Sequence, residues 1–158
     1  MDDIAPEDRR LTLVVAAYNE AEALPALQRR IESALGEVEA AGLEARVLYV
    51  DDGSRDGTWR VMQELAARDA RVALLRLSRN FGKESALTAG LDHVERGAVL
   101  ILDADGQDPP ELVPRFIEKW CEGYDDVHGT RLAREGEGLV KRATAHAFYR
   151  VIGRLSQT

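Results

Sequence analysis

Four short apolar runs alternate with stretches of helical spacing, and this alternation constrains the fold more than any other feature. The runs are Leu11–Ala16, Arg46–Val50, Val72–Leu77 and Ala98–Leu102. Between them, apolar residues recur at three- and four-residue steps, as in Leu24, Leu27, Ile31, Leu35 and Val38. That period belongs to one face of a helix, whereas runs of five or six apolar residues belong to buried strands. Helices are expected over 21–40, 58–68, 84–94 and from Pro109-Pro110 through Trp120, with a further short strand over Asp126–Gly129. Strands alternating with helices imply an α/β fold: a Rossmann-like, mostly parallel sheet with right-handed crossovers and helices on its faces. The run Ala98–Leu102 has no polar alternation, so both its faces are expected to be buried. At 158 residues the chain is about one domain.

Charge and cysteine content remove several functions. The net charge is −7, against the basic footprint of a nucleic-acid binder. The single cysteine, Cys121, excludes an internal disulfide and any zinc site built on cysteine pairs, and it is expected as a buried, inert thiol. The acidic start, Met1-Asp2-Asp3, is unlike a signal peptide, and the most apolar stretch, 11–18, is too short for a bilayer span. A cytoplasmic chain, peripheral to a membrane at most, is expected. The C-terminal stretch differs: Arg131, Arg134, Lys141, Arg142, Arg150 and Arg154 face only Glu135 and Glu137. Residues 139–155 carry an apolar stripe (Val140, Thr144, Phe148, Val151, Leu155) and read as a basic amphipathic helix suited to anionic headgroups or to packing on a core. The expected organisation is an N-terminal extension over 1–10, a nucleotide-binding domain over 11–130, and a basic helical tail over 131–158 that reads as cut off within a longer region.

Three polar clusters follow strand ends: Tyr18-Asn19-Glu20, Asp51-Asp52-Gly53-Ser54, and Asp103-Ala104-Asp105 with Gln107. In a parallel sheet all three fall on one edge, where ligands bind. Five carboxylates gathered there repel one another unless a cation or hydrogen-bond donors compensate. Asp103, Asp105 and the Gln107 carbonyl suit a hard divalent ion, Mg²⁺ or Mn²⁺. Asp108 before Pro109 reads as a helix N-cap. The Asp51–Ser54 segment fits either a strand-to-helix turn or a carboxylate that binds a base or ribose. Asn80-Phe81-Gly82-Lys83 is similar to a phosphate-binding turn but lacks a second glycine, so Lys83 is expected on a solvated helix start. No two histidines share metal-ligand spacing, and Ser85 has no partner at motif spacing for nucleophilic chemistry.

Taken in order, these segments resemble glycosyltransferase family 2, and within it the polyprenyl-phosphate (dolichol- or undecaprenyl-phosphate) glycosyltransferases. The resemblance rests on Val14–Glu20, Val50–Thr58, Leu77–Glu84, Asp103–Glu111, Gly129-Thr130-Arg131 and the segment from Lys141-Arg142 to Phe148-Tyr149-Arg150. It implies a GT-A type nucleotide-diphosphosugar transferase fold. It places Ala16, Tyr18, Glu20, Val50 and Asp52 around base and ribose, and Asp103, Ala104, Asp105 and Gln107 at the metal and donor diphosphate. Arg131 would lie near the transferring phosphates, with Arg134, Lys141 and Arg142 toward the acceptor phosphate. Two positions depart from the pattern: Ala16 stands where Pro is usual, and Gly106 where Leu is usual.

The implied enzyme is a metal-dependent hexosyltransferase that moves glucose, mannose or a similar sugar from a UDP- or GDP-sugar to polyprenyl phosphate, at the cytoplasmic face of a membrane. Its catalytic residues would be Asp103, Asp105 and Arg131. A phosphate acceptor is already anionic and needs no general base, which agrees with the absence of a His or Ser constellation. Two alternatives stand beside it: transfer to a saccharide hydroxyl, which needs a base from elsewhere, and a nucleotide-binding module without turnover.

Overall fold

The computed structural model describes residues 9–129, and within them the expected alternation is present. The order is β1 (Arg10–Ala17), α1 (Leu24–Ala40), β2 (Glu44–Asp51), α2 (Thr58–Arg68), β3 (Val72–Arg76), α3 (Lys83–Leu91), β4 (Ala98–Asp103), a 3-10 turn (Pro110–Leu112) and α4 (Val113–Cys121). The strands form one sheet in the order β3-β2-β1-β4, every pair parallel. Connections leaving β1 and β2 run one way across the sheet, and the connection to β4 returns to the far side of β1. The order therefore reverses between β1 and β4, and such a switch point opens a crevice beyond the strands' carboxyl ends.

Period-two alternation divides the core into two layers. Leu11, Leu13, Val15 and Ala17 of β1 join Val47 and Tyr49 of β2 under α1, α2 and α4. Val14, Leu48 and Val50 point the other way, against Ala86 and Leu87 of α3. Helix α3 lies close because Gly90 has no side chain: a Cβ there would stand 2.6 Å from Val14 Cγ1 and 3.0 Å from Val50 Cγ2. Trp59 and Trp120 cover the larger core layer, as helix-borne aromatics should.

Several expectations change. Strand β4 is buried on one face only: Leu102 is in the core, while Val99 and Ile101 are 39% and 46% exposed. It is an edge strand among the described residues, and α3 covers β1 and β2 rather than β4. An apolar run identifies a strand but does not say whether the sheet continues beside it. Helix α3 ends at Leu91 rather than Val94, and Leu91 is exposed, whereas Leu87 is buried and Val94 still packs against the same layer. Residues 126–129 form no strand. The residue at the N-cap position of the 3-10 turn is Pro109 rather than Asp108. Cys121 is half-buried against the core rather than enclosed. The tail helix expected over 139–155 lies outside the described residues, as do Arg131, Arg134, Lys141 and Arg142. Among the described residues no helix is long and apolar enough to cross a membrane.

Candidate functional site

A cleft of about 280 Å³ opens at the switch point. The end of β1 contributes Ala16, Tyr18 and Glu20, and the end of β2 contributes Asp52. The loop entering α3 contributes Asn80, Gly82 and Lys83, and the end of β4 contributes Asp103, Ala104 and Asp105. Register explains the meeting: Ala16 pairs with Val50 on one side and with Asp103 on the other, so the residues beyond these positions emerge side by side.

The loops after β1 and β2 are fastened to each other. Asn19 N–H donates to Ser54 Oγ at 3.0 Å, and Arg55 N–H donates back to Asn19 Oδ1 at 2.9 Å. Glu20 N–H donates to Thr58 Oγ1 at 2.8 Å, whose hydroxyl donates to Asp56 Oδ1 at 2.5 Å. Asn19 takes φ 57°, a left-handed conformation that asparagine tolerates better than most residues. Burial acts to raise the Asp56 carboxyl, but donation from the Thr58 hydroxyl and N–H and from Ala21 N–H outweighs it and holds Asp56 below its usual range. These bonds order Tyr18 and Glu20 before any ligand arrives.

The paired aspartates divide their work. Asp51 is fully buried and lies beneath the cleft rather than in it; its Oδ1 accepts Ser54 N–H at 2.9 Å. Arg76 Nε stands 3.1 Å from Asp51 Oδ2 without the alignment of a hydrogen bond, so charge alone compensates that oxygen. Asp52, 3% exposed, turns toward the α3 loop: Oδ1 accepts Phe81 N–H at 2.8 Å and Oδ2 accepts Gly82 N–H at 2.9 Å. Gly53 makes this approach possible. It takes φ +65°, and a Cβ would stand 2.3 Å from the Arg79 carbonyl carbon. The two readings of this segment thus coexist: it is a tight turn, and one of its carboxylates lines the cleft. Both oxygens of Asp52 already serve the α3 loop, and each keeps a further lone pair for a ligand.

Lys83 is an exposed helix start, as expected, but it also makes a specific contact. Its Nζ lies 2.5 Å from Asp103 Oδ1, spanning the crevice, and among the described residues it is the only cation lining the cleft. The Asp103 hydrogen bond, with Asp105 and Asp108 adding charge, raises the Lys83 ammonium above its usual range. Burial, reinforced by Asp105 and Asp56, raises Glu20. Asp105 Oδ1 accepts Gln107 N–H at 3.0 Å, so Gln107 shapes the loop through its backbone, and its side chain is exposed outside the cleft lining. Arg30 of α1 steadies the same loop from behind: its guanidinium donates to both Glu111 oxygens at 2.7 and 2.8 Å and to the Gly106 carbonyl at 3.3 Å. The Arg30 bonds pull the Glu111 carboxyl down to about 2.

Of the residues singled out from sequence, Ala16, Tyr18, Glu20, Asp52, Asp103, Ala104 and Asp105 come together in the cleft. Val50 does not line it; its side chain is core against α3. Sequence reasoning missed Lys83 and Asn80 as lining residues. One signal was available for Lys83: a cation in the first turn opposes the helix dipole, so something outside the helix must favour it there.

Comparison with known proteins agrees with this geometry. The family model for glycosyl transferase family 2 matches residues 12–157. A bactoprenol glucosyl transferase of Shigella phage SfX is 41% identical over 147 residues, 93% of this chain and 47% of that protein. An undecaprenyl-phosphate 4-deoxy-4-formamido-L-arabinose transferase of Klebsiella pneumoniae is 37% identical over 150 residues, 94% of this chain and 45% of that protein. The chain thus spans about half the length of the curated relatives it matches. Among solved structures, S. aureus TarS 1-349 superposes with a TM-score of 0.55 at 16% identity, over 81% of this chain and 40% of that one, a likeness of fold. With its parallel sheet, its switch-point cleft and a family match over nearly its whole length, the chain belongs to glycosyltransferase family 2.

Proposed function

We propose that this chain is the donor-binding part of a transferase that moves a sugar from a nucleotide-diphosphosugar to polyprenyl phosphate with the help of a divalent cation. One observation carries the reading: the oxygen donors of Tyr18, Glu20, Asp52, Asp103 and Asp105 line a single crevice at the sheet's switch point. The lipid-phosphate acceptor is supported by relatives named for transfer to bactoprenol and undecaprenyl phosphate. Such an acceptor puts the reaction at a membrane surface.

The donor set fits a hard cation of the Mg²⁺ or Mn²⁺ kind. Asp103 and Asp105 offer carboxylate oxygens, and neither has both of them engaged by the bonds described above. No group of three or more His, Cys, Asp or Glu residues forms a metal cage among the described residues. A cation shared between one or two carboxylates and substrate phosphates needs no such cage. When bound, the ion would neutralise charge on the departing nucleoside diphosphate.

The reaction then asks little of the protein in proton transfer. An acceptor phosphate oxygen forms the bond to the anomeric carbon, the carbon–oxygen bond to the diphosphate breaks, and its electron pair leaves on the diphosphate. Asp52 and the fastened loops at 18–20 and 54–58 hold the nucleotide end, which limits the motion of the anomeric carbon relative to the attacking oxygen. Arg131, Arg134, Lys141 and Arg142 are proposed for the acceptor phosphate, as guanidinium forks suit phosphate oxygens.

Calorimetry of UDP and GDP with Mn²⁺, repeated with chelator and with Asp105→Ala, tests the donor half. Expected is binding of one nucleotide that chelator and Asp105→Ala each reduce by about tenfold or more. Binding that chelator leaves unchanged refutes the metal reading, and no binding of either nucleotide refutes the donor site. Labelled donor offered with undecaprenyl phosphate or with a saccharide separates the lipid acceptor from a hydroxyl acceptor.

A further inference from the structure

The Lys83–Asp103 pair is the feature that nucleotide binding alone leaves unexplained. Lys83 is the first residue of α3, where a cation gains nothing from the helix. Its neighbours across the crevice are carboxylates: Asp103 at 2.5 Å in contact, with Asp105 and Asp108 acting through charge. Glu20 and Asp52 line the same cleft, so among the described residues one ammonium stands among four lining carboxylates. The ion pair is accessible, with 53% of the Lys83 side chain and 33% of the Asp103 side chain exposed. A long, flexible ammonium in such a position is held by charge and can be exchanged for another cation without unfolding anything.

We propose that Lys83 is a placeholder for the divalent cation: in the empty cleft it occupies Asp103, and it gives way only when cation and diphosphate arrive together. This rests on the metal-dependent donor reading above and adds an order to it. A cation arriving alone at Asp103 either stands beside the ammonium or displaces it, and both arrangements set two positive charges close together. A cation arriving with a diphosphate brings new acceptor oxygens, so the displaced ammonium moves from carboxylate to phosphate. The loop geometry keeps Lys83 within reach for both tasks, because Asp52 fixes Phe81 and Gly82 by their N–H groups immediately before it. Lys83 is therefore a positioning residue that couples cation affinity to nucleotide occupancy.

The test is Mn²⁺ binding to the full 158-residue chain, with free Mn²⁺ read by electron paramagnetic resonance. Titrations are run without nucleotide, with UDP and with GDP, for the parent chain, Lys83→Met, Lys83→Arg and Lys83→Met/Asp103→Asn. In the parent chain Mn²⁺ alone should bind weakly and the preferred nucleotide should tighten it. In Lys83→Met, Mn²⁺ alone should bind about tenfold tighter than in the parent, because the competing charge is gone, while the gain from nucleotide shrinks. Lys83→Arg should restore the parent behaviour, and adding Asp103→Asn should abolish the gain of Lys83→Met. Thermal melts within a few degrees of the parent show that the variants fold. If nucleotide tightens Mn²⁺ in the parent but Lys83→Met binds Mn²⁺ alone no better, the placeholder role is wrong and the metal-dependent reading stands. If no form binds Mn²⁺ even with UDP or GDP, both fall.

Discussion

Asp52→Asn tests whether the nucleotide end of the cleft and the α3 loop are one construction. The wild-type carboxylate is 3% exposed and accepts two main-chain N–H bonds, at 2.8 Å from Phe81 and 2.9 Å from Gly82. Asparagine keeps the shape but has one acceptor oxygen and one NH₂ group. Whichever way the amide is turned, a donor faces a donor at one of the two positions. The loss combines one charge-assisted bond, about 1.5–3 kcal/mol, with an N–H left facing no acceptor, about 1–3 kcal/mol. Partial relaxation of the loop toward water offsets some of this, so about 2–4 kcal/mol is expected. At about 3 °C per kcal/mol for a domain of this size, the melting temperature should fall by about 6–12 °C. The chain should remain folded at room temperature if its stability is an ordinary 5–15 kcal/mol. The assay is denaturant unfolding followed by circular dichroism, with amide hydrogen exchange resolved at Phe81 and Gly82. Both amides should lose protection in the variant while the β1 and β2 ladders keep theirs. A stability change below about 0.5 kcal/mol, or unchanged exchange at residues 81 and 82, would refute the argument that this carboxylate holds the loop.

Two further outcomes follow from close contacts elsewhere. Gly90→Ala should destabilise by about 1–2 kcal/mol in denaturant unfolding, because overpacking against Val14 and Val50 exceeds the helix-propensity gain of alanine; in a Val14→Ala background the same change should be neutral or stabilising. Arg30→Met should act through pH. The Glu111 carboxyl is lowered from 4.5 to about 2 in the folded chain by its Arg30 bonds, so its contribution is fully present above pH 4.5 and is lost as pH falls toward 2. Both side chains are more than a third exposed, at 38% and 57%, so screening limits this to about 0.5–1 kcal/mol. Urea midpoints measured from pH 7 to pH 2 should therefore show parent and Arg30→Met converging at the acid end, and a gap that stays constant would sink the pairing argument.

The alternation of strands and helices was legible because periodicity is a local property of the chain. So was the gathering of three polar clusters, since parallel strands must release their carboxyl ends on one side. What was not legible depends on partners distant in sequence. The run Ala98–Leu102 reads the same whether a strand is flanked on both sides or on one, and only the sheet order exposes Val99 and Ile101. Asn19, Ser54 and Thr58 look like turn formers, and their role is to fasten two loops across 35 to 38 residues, Asn19 N–H to Ser54 and Glu20 N–H to Thr58. Asp51 and Asp52 are indistinguishable as letters. Their positions at the end of β2 make one a buried brace for its own turn and the other a clamp on the α3 loop.

Lys83 shows why the last step from fold to chemistry resists sequence reading. A lysine at a helix start is ordinarily solvated, and the opposing helix dipole is the one hint its own segment offers. The anomaly is energetic: the ammonium opposes the dipole of α3, with only Glu84 in the same turn to offset it. A carboxylate 20 residues away supplies the compensation, and it does so where the order of the described strands reverses. The same reversal that opens the crevice thus brings the cation to the acids that line it. If that pairing existed only to steady the helix, Lys83→Met would cost stability and leave Mn²⁺ affinity alone. If it reserves Asp103 for an incoming cation, the variant should cost little stability and change the order in which cation and nucleotide bind.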